Sequence, residues 1–122
     1  MGLRHSTTKS FIYAFEGIRT AFRREPNLRI HTFIAVIVLL AAIFFKFNSI
    51  EWLILAFTIS FVIALELLNT VLEAVVSLVS PEVKPDAKVA KDVSAAMVLV
   101  AAIAALLVGI VLFIPKLASL FT

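Results

Sequence analysis

"WLILAFTISFVIALELLNTVLEAVVSLV", residues 52–79, is long and apolar enough to span a membrane, yet its second half carries two carboxylates and an amide. A helix needs about 20 predominantly apolar residues to cross roughly 30 Å of hydrocarbon, and this segment has residues to spare. Two further apolar runs flank it, Ile30 to Phe47 and Val93 to Ile114. Three such runs in 122 residues, 62% of them hydrophobic, leave too little polar surface for a water-soluble fold. They predict an all-α integral membrane protein with transmembrane helices at 30–47, 52–79 and 93–114.

Nothing divides the chain. It has no Gly/Ser-rich linker, internal repeat or low-complexity tract, so residues 1–122 are expected to form a single membrane domain. The absence of cysteine excludes a disulfide framework and any thiolate chemistry. Met1 to Ser10 are polar and lack the short apolar core and cleavage site of a signal peptide, so targeting is expected to come from the spans themselves. No nucleic-acid partner is expected.

Ahead of the first span the pattern changes. Phe11, Phe15, Ile18 and Phe22 recur at helical spacing, with Lys9, Glu16, Arg19 and Arg23 on the other side of the wheel. Residues 6–25 therefore read as an amphipathic surface helix, its Phe face in the membrane interface and its basic face in water. A helix packed over the bundle would show the same pattern, and the two roles are compatible. Pro26 should end this helix, leaving "REPNLRIH" as a bend into the bilayer.

Charge predicts the orientation. Arg4, Lys9, Arg19, Arg23, Arg24 and Arg29 precede the first span, and Lys84, Lys88 and Lys91 lie between the second and third. Only Lys46 and Lys116 fall on the opposite side. By the positive-inside rule, the amino terminus and the loop from Ser80 to Asp92 are expected in the cytoplasm, with "KFNSIE" and the carboxyl terminus outside. Most of these basic residues are explained as topology signals and contacts with anionic lipid.

At about 100° per residue, Asn69, Glu73 and Ser77 fall within about 60° of Glu66 on one helix face. Charge at mid-bilayer costs at least about 2.5 to 3.5 kcal/mol, so this stripe must face protein or a wet cavity. Two readings stand. A protonated Glu66 and Asn69 could join helices through hydrogen bonds worth about 0.6 to 2 kcal/mol each. Alternatively, Glu66 takes a proton from a substrate while a carboxylate nearer the interface holds a cation.

The remaining polar residues sharpen the second reading. "AKDVSAA" sets Lys91 and Asp92 at the mouth of the third span, as Glu25 and Arg29 bracket the first. Glu25, Glu73 and Asp92, with Lys91 and Arg29, could hold Mg²⁺ and polyphosphate: carboxylates ligate the hard cation and the bases balance phosphate oxygens. The chain has no GxxxxGKS loop, protein-kinase DFG or HRD set, or Rossmann glycine fingerprint, so a nucleotide site would have to be built from helix-end side chains. His31, at the start of the first span, reads as an interfacial hydrogen-bonding residue, because no second histidine stands at metal-ligand spacing; His5 suggests no role. Ala101, Ala105 and Gly109 make a small-residue ridge suited to close helix contact, within or between protomers.

Taken together, "FEGIRTAFRREPNLRIH", "ELLNTVLEAVV" and "AKDVSAA" resemble the prokaryotic diacylglycerol kinase family, which includes undecaprenol kinases. The resemblance covers essentially the whole chain, and its core is E-x-x-N-x-x-x-E followed eighteen residues later by K-D. It implies a homotrimeric helical bundle in the bacterial cytoplasmic membrane, with active sites shared between protomers. It also implies γ-phosphate transfer from MgATP to a lipid alcohol. By position, Glu66 resembles the general base, Asn69 an organiser of the catalytic site, and Glu25 and Glu73 the Mg²⁺ ligands. Tyr13, Glu82, Lys84, Lys91 and Asp92 fall among the implied nucleotide contacts, and Arg29 joins Glu66 at the lipid substrate. Two places depart from the usual family pattern: Ser77 stands where many relatives have Asp, and Val83-Lys84 where an aromatic-His pair is usual. "YAFEGI", "IEWLIL" and "VSPE" look more like the Gram-positive undecaprenol kinase branch, so undecaprenol is the expected substrate and diacylglycerol the alternative. A small proton-coupled carrier, which could also keep a membrane carboxyl, and a structural assembly subunit are the non-enzymatic alternatives.

Overall fold

The structure, a computed structural model, describes residues 6–122. Arg4 and His5 lie outside the described residues. Four helices follow one another: α1 (Thr7–Arg24), α2 (Pro26–Phe44), α3 (Ser49–Val79) and α4 (Pro85–Ser119). There is no strand among the described residues. α2, α3 and α4 are each long and apolar enough to cross a membrane, and the chain is a multi-pass membrane protein. Phe33, Phe57, Leu99 and Val111 stand exposed along them, as side chains solvated by lipid do.

The break between α1 and α2 is one residue wide. Glu25 is extended (φ −113°, ψ 102°), because the ring of Pro26 disfavours helical backbone in the residue before it. Pro26 itself starts α2 at a first-turn position, where its missing N–H leaves no bond unmade. The bend expected over "REPNLRIH" is therefore confined to Glu25, and α2 begins four residues before Ile30. Arg29 reaches back across the joint: one Nη donates to the carbonyls of Phe22 (3.2 Å) and Arg23 (3.1 Å), ending α1. At its other end α1 is capped by Ser6, whose hydroxyl accepts from the Lys9 N–H. Phe11, Phe15, Ile18 and Phe22 are all exposed, while Ala21 is buried beside the turn into α2.

Between α2 and α3, Lys46 takes a positive φ of 54°. Asn48 then caps α3 in a reciprocal box: its side chain accepts from the Glu51 N–H at 2.9 Å, and the Glu51 carboxylate accepts from the Asn48 N–H at 3.2 Å. Such a box is worth about 1 kcal/mol. The first span thus ends at Phe44, short of the expected Phe47, and the second starts at Ser49. The third departs most from expectation. Pro85 opens α4 eight residues before Val93, so the supposed loop from Ser80 to Asp92 shrinks to residues 80–84.

α3 and α4 form the most extensive helix pair. At one end of the bundle Ala42, Phe47, Leu55 and Leu112 form a buried cluster covered by Trp52, Phe45 and Phe113. The Phe47 ring lies 4.9 Å from Phe113 and 6.1 Å from Trp52. Lys116 closes that end, 3.2 Å from the Glu51 carboxylate and 5.7 Å from the Phe47 ring centre. Of the small-residue ridge, Ala101 is tightly packed, but a methyl group built on Gly109 would meet no atom within 4 Å. Gly109 therefore marks no close approach within the protomer.

Candidate functional site

The opposite end of the bundle is polar inside. Glu66, on α3, is 1% exposed although it lies in an apolar span. Its Oε1 is 2.7 Å from Nδ1 of His31 on α2. Both atoms are buried and neither makes a hydrogen bond. The contact falls outside hydrogen-bond angles, and a small turn of the imidazole would let an Nδ1–H donate to the carboxylate.

One turn along α3, Asn69 is also buried and fully engaged. Its Oδ1 accepts a 2.6 Å bond from the buried Ser94 hydroxyl on α4, and its Nδ2 donates to Glu73 Oε1 at 3.3 Å. Asn69 thus fixes the Glu73 carboxylate and ties α3 to α4. Glu73 in turn meets Glu25 from the α1–α2 joint. Partial burial is the main influence raising the Glu25 carboxyl above its ordinary range; the charge of Glu73 and a hydrogen bond to it add to the effect, Arg24 opposes it, and Glu66 contributes a little more. The chain therefore brings Glu25, Glu66, Asn69 and Glu73 to one end of the bundle. Ser77 completes the stripe from an exposed position.

The other sequence-predicted residues are more exposed. Asp92 pairs at 2.6 Å with Lys88, one turn back on α4, and Lys91 is exposed beside them. Arg29 bonds to the α1 carbonyls already described. Glu82 and Lys84 are exposed in the connection before α4, and Tyr13 is half exposed on α1. No group of three metal-ligating side chains converges among the described residues.

Sequence reasoning missed three participants. His31 was placed at the edge of a span; with α2 starting at Pro26 it stands in the second turn and faces Glu66. Ser94 is the one hydroxyl in "AKDVSAA", and that solitary polar group on a buried face was the available signal. Lys88, at i−4 from Asp92, was legible as a helical ion pair only if α4 began before it. An apolar groove of about 450 Å³ runs from His31 past Val62, Ile63 and Ala105 to Phe113. His31 is the one ionisable side chain among its lining residues.

A buried carboxyl beside a second pair of carboxylates can accept a proton and bind a hard cation within one small volume. The family model for prokaryotic diacylglycerol kinase matches residues 12–113. A protein named diacylglycerol kinase in Synechocystis sp. is 48% identical over 112 residues, covering 91% of this chain. This chain spans only 64% of that relative's length. A protein named undecaprenol kinase in Bacillus subtilis is 38% identical over 109 residues, covering 89% of both chains. The chain belongs to the prokaryotic diacylglycerol kinase family.

Proposed function

We propose that this protein is an ATP-dependent lipid kinase that moves the γ-phosphate of MgATP to the hydroxyl of a membrane lipid alcohol. The observation that carries the reading is Glu66, 1% exposed in an apolar span and one turn from the Asn69 and Glu73 pair. A carboxyl with only a structural role would not need a second carboxylate pair beside it.

Each group then has a task. Glu66 takes the proton from the lipid hydroxyl as its oxygen attacks the γ-phosphorus, and the bond to the ADP oxygen breaks on the opposite side. Asn69, held by Ser94, keeps Glu73 in place. Lys91, Asp92, Tyr13, Glu82 and Lys84 serve the nucleotide, and Arg29 the substrate entrance. Glu25 and Glu73 fit a divalent cation: the two carboxylates are in mutual contact, and the nearby Arg24 offsets only part of what raises the Glu25 carboxyl. Mg²⁺ bound there would neutralise phosphate oxygens and stabilise the charge that develops on them, with phosphate and water completing its shell. With no three-residue metal cluster among the described residues, the cation would take most of its ligands from substrate and water.

The same reading makes α1 an amphipathic helix lying in the interface, with the amino terminus and the Glu66 end of the bundle in the cytoplasm, where ATP is available. It further makes the enzyme a homotrimer of the bacterial cytoplasmic membrane with shared sites. The trimer and the shared sites rest on the family resemblance.

Undecaprenol is the substrate favoured by the local sequences "YAFEGI", "IEWLIL" and "VSPE". Diacylglycerol is the second reading, favoured by the 48% identity to the Synechocystis protein. The deciding experiment incubates the purified protein in bilayers with radiolabelled ATP, Mg²⁺ and a panel of lipid alcohols. Label in undecaprenyl phosphate above all other products is expected. Faster labelling of diacylglycerol reverses the substrate choice, and label in no lipid ends the kinase reading.

A further inference from the structure

Glu66 has two carboxyl oxygens, and the structure treats them differently. Oε1 lies 2.7 Å from His31 Nδ1, both atoms buried and neither in a hydrogen bond of acceptable angle, so that a small turn of the ring would satisfy both. Oε2 has no hydrogen-bond partner among the described residues. A proton acceptor beside a histidine that lines an apolar groove gains from this asymmetry: with one oxygen fixed, the other presents its lone pair in a single direction. His31 suits the fixing role because it belongs to the rigid helix α2, which starts beside Glu25 about 9 Å away. It also lines the groove itself.

We propose that His31 is the positioning residue for Glu66: its Nδ1–H donates to Oε1 and aims Oε2 at the incoming lipid hydroxyl. The inference rests on the kinase reading above. In the transfer step the substrate proton passes to Oε2 as the new oxygen–phosphorus bond forms and the bond to ADP breaks; the proton on Nδ1 stays where it is. His31 therefore touches no reacting atom. Its contribution is orientation, and it requires the ring tautomer protonated on Nδ1. A purely space-filling histidine would require no particular tautomer.

The test uses the full-length protein in bilayers, with MgATP and whichever lipid alcohol the wild type phosphorylates best. His31→Leu keeps the bulk and removes the donor; kcat should fall by about a hundredfold, the penalty of a misaimed reacting group, while KM for MgATP stays put. His31→Asn places an amide nitrogen close to the former Nδ1 and should restore most of the loss. An unchanged kcat in His31→Leu, a loss confined to the KM for MgATP, or a His31→Asn variant as slow as His31→Leu overturns the proposal. Nitrogen NMR of histidine-labelled protein provides a readout that needs no turnover. The His31 Nδ1–H signal should be present and should move in Glu66→Gln; a ring protonated only on Nε2, or a signal indifferent to that change, also overturns it. Wild-type protein that labels no lipid would instead defeat the kinase reading, whereas an active wild type with an indifferent His31 defeats only this inference.

Discussion

The two ends of the helical bundle use the same three helices for opposite purposes. At the Lys116 end, Phe47, Trp52 and Phe113 interlock around Ala42 and Leu112, and the paired charges beside them, Glu51 and Lys116, stay partly exposed. At the Glu66 end, a carboxyl and an imidazole nitrogen are buried against each other, and an amide and a hydroxyl are buried in a hydrogen bond. An aromatic cluster gains contact wherever its rings touch, so it tolerates small errors of placement. A buried polar cluster stabilises only when each member meets its partner, and an unmet group is costly. One end is therefore built for cohesion and the other for geometry, and substitutions should separate the two.

The sharpest break is Glu66→Gln. If the polar end does chemistry, lipid phosphorylation measured with radiolabelled ATP falls by about 10² to 10⁴-fold, the usual worth of a positioned base, while helix content and oligomer size persist. Near-normal turnover would return Glu66 to a structural role. Phe47→Ala probes the other end. It should lower thermal stability in detergent by about 3 kcal/mol, the lower bound for emptying a buried aromatic site, with turnover per folded molecule little changed. Reduced turnover without reduced stability would dissolve the distinction between the ends.

Ser94→Ala leaves Asn69 Oδ1 buried without its donor, which should cost about 1 to 2 kcal/mol of stability and slow turnover through Glu73. Glu25→Gln has a smaller effect and one that depends on pH. Because folding raises the Glu25 carboxyl above its ordinary range, the folded state binds more protons than the unfolded one between those two values. Stability of the cation-free protein should therefore fall as pH rises from the ordinary carboxylate range through the raised value, then level off. Thermal melts in a chelator should show this slope in the parent and a flatter one in Glu25→Gln. A parent curve that rises over that interval would contradict the contact with Glu73. Least of all, Lys116→Met should change stability by about 0.5 kcal/mol, since the pair with Glu51 is partly solvated.

Hydropathy made the three spans legible because lipid imposes one requirement, apolarity, on every residue that faces it. It located their ends poorly. Pro85 to Asp92 form helix although they are polar, and a scale tuned to oil stops at Val93; Pro26 looked like a break when it is a beginning. The same limit divides the site. Glu66, Asn69 and Glu73 share one helix, so a turn of about 100° per residue lines them up on paper. His31 and Ser94 belong to α2 and α4, and no spacing along the chain encodes which turn of one helix will face which turn of another. Glu25 was suggested as a carboxylate near the membrane mouth, but its contact with Glu73 depends on the abrupt turn at a single residue.

That turn has a mechanical consequence. α1 extends about 27 Å from an elbow only one residue wide, so each degree of rotation at Glu25 sweeps the far tip through about half an ångström. Arg29, strapped to the carbonyls of Phe22 and Arg23, is the tendon that limits this swing. Whatever grips the Glu25 carboxylate also pulls on the hinge of a lever.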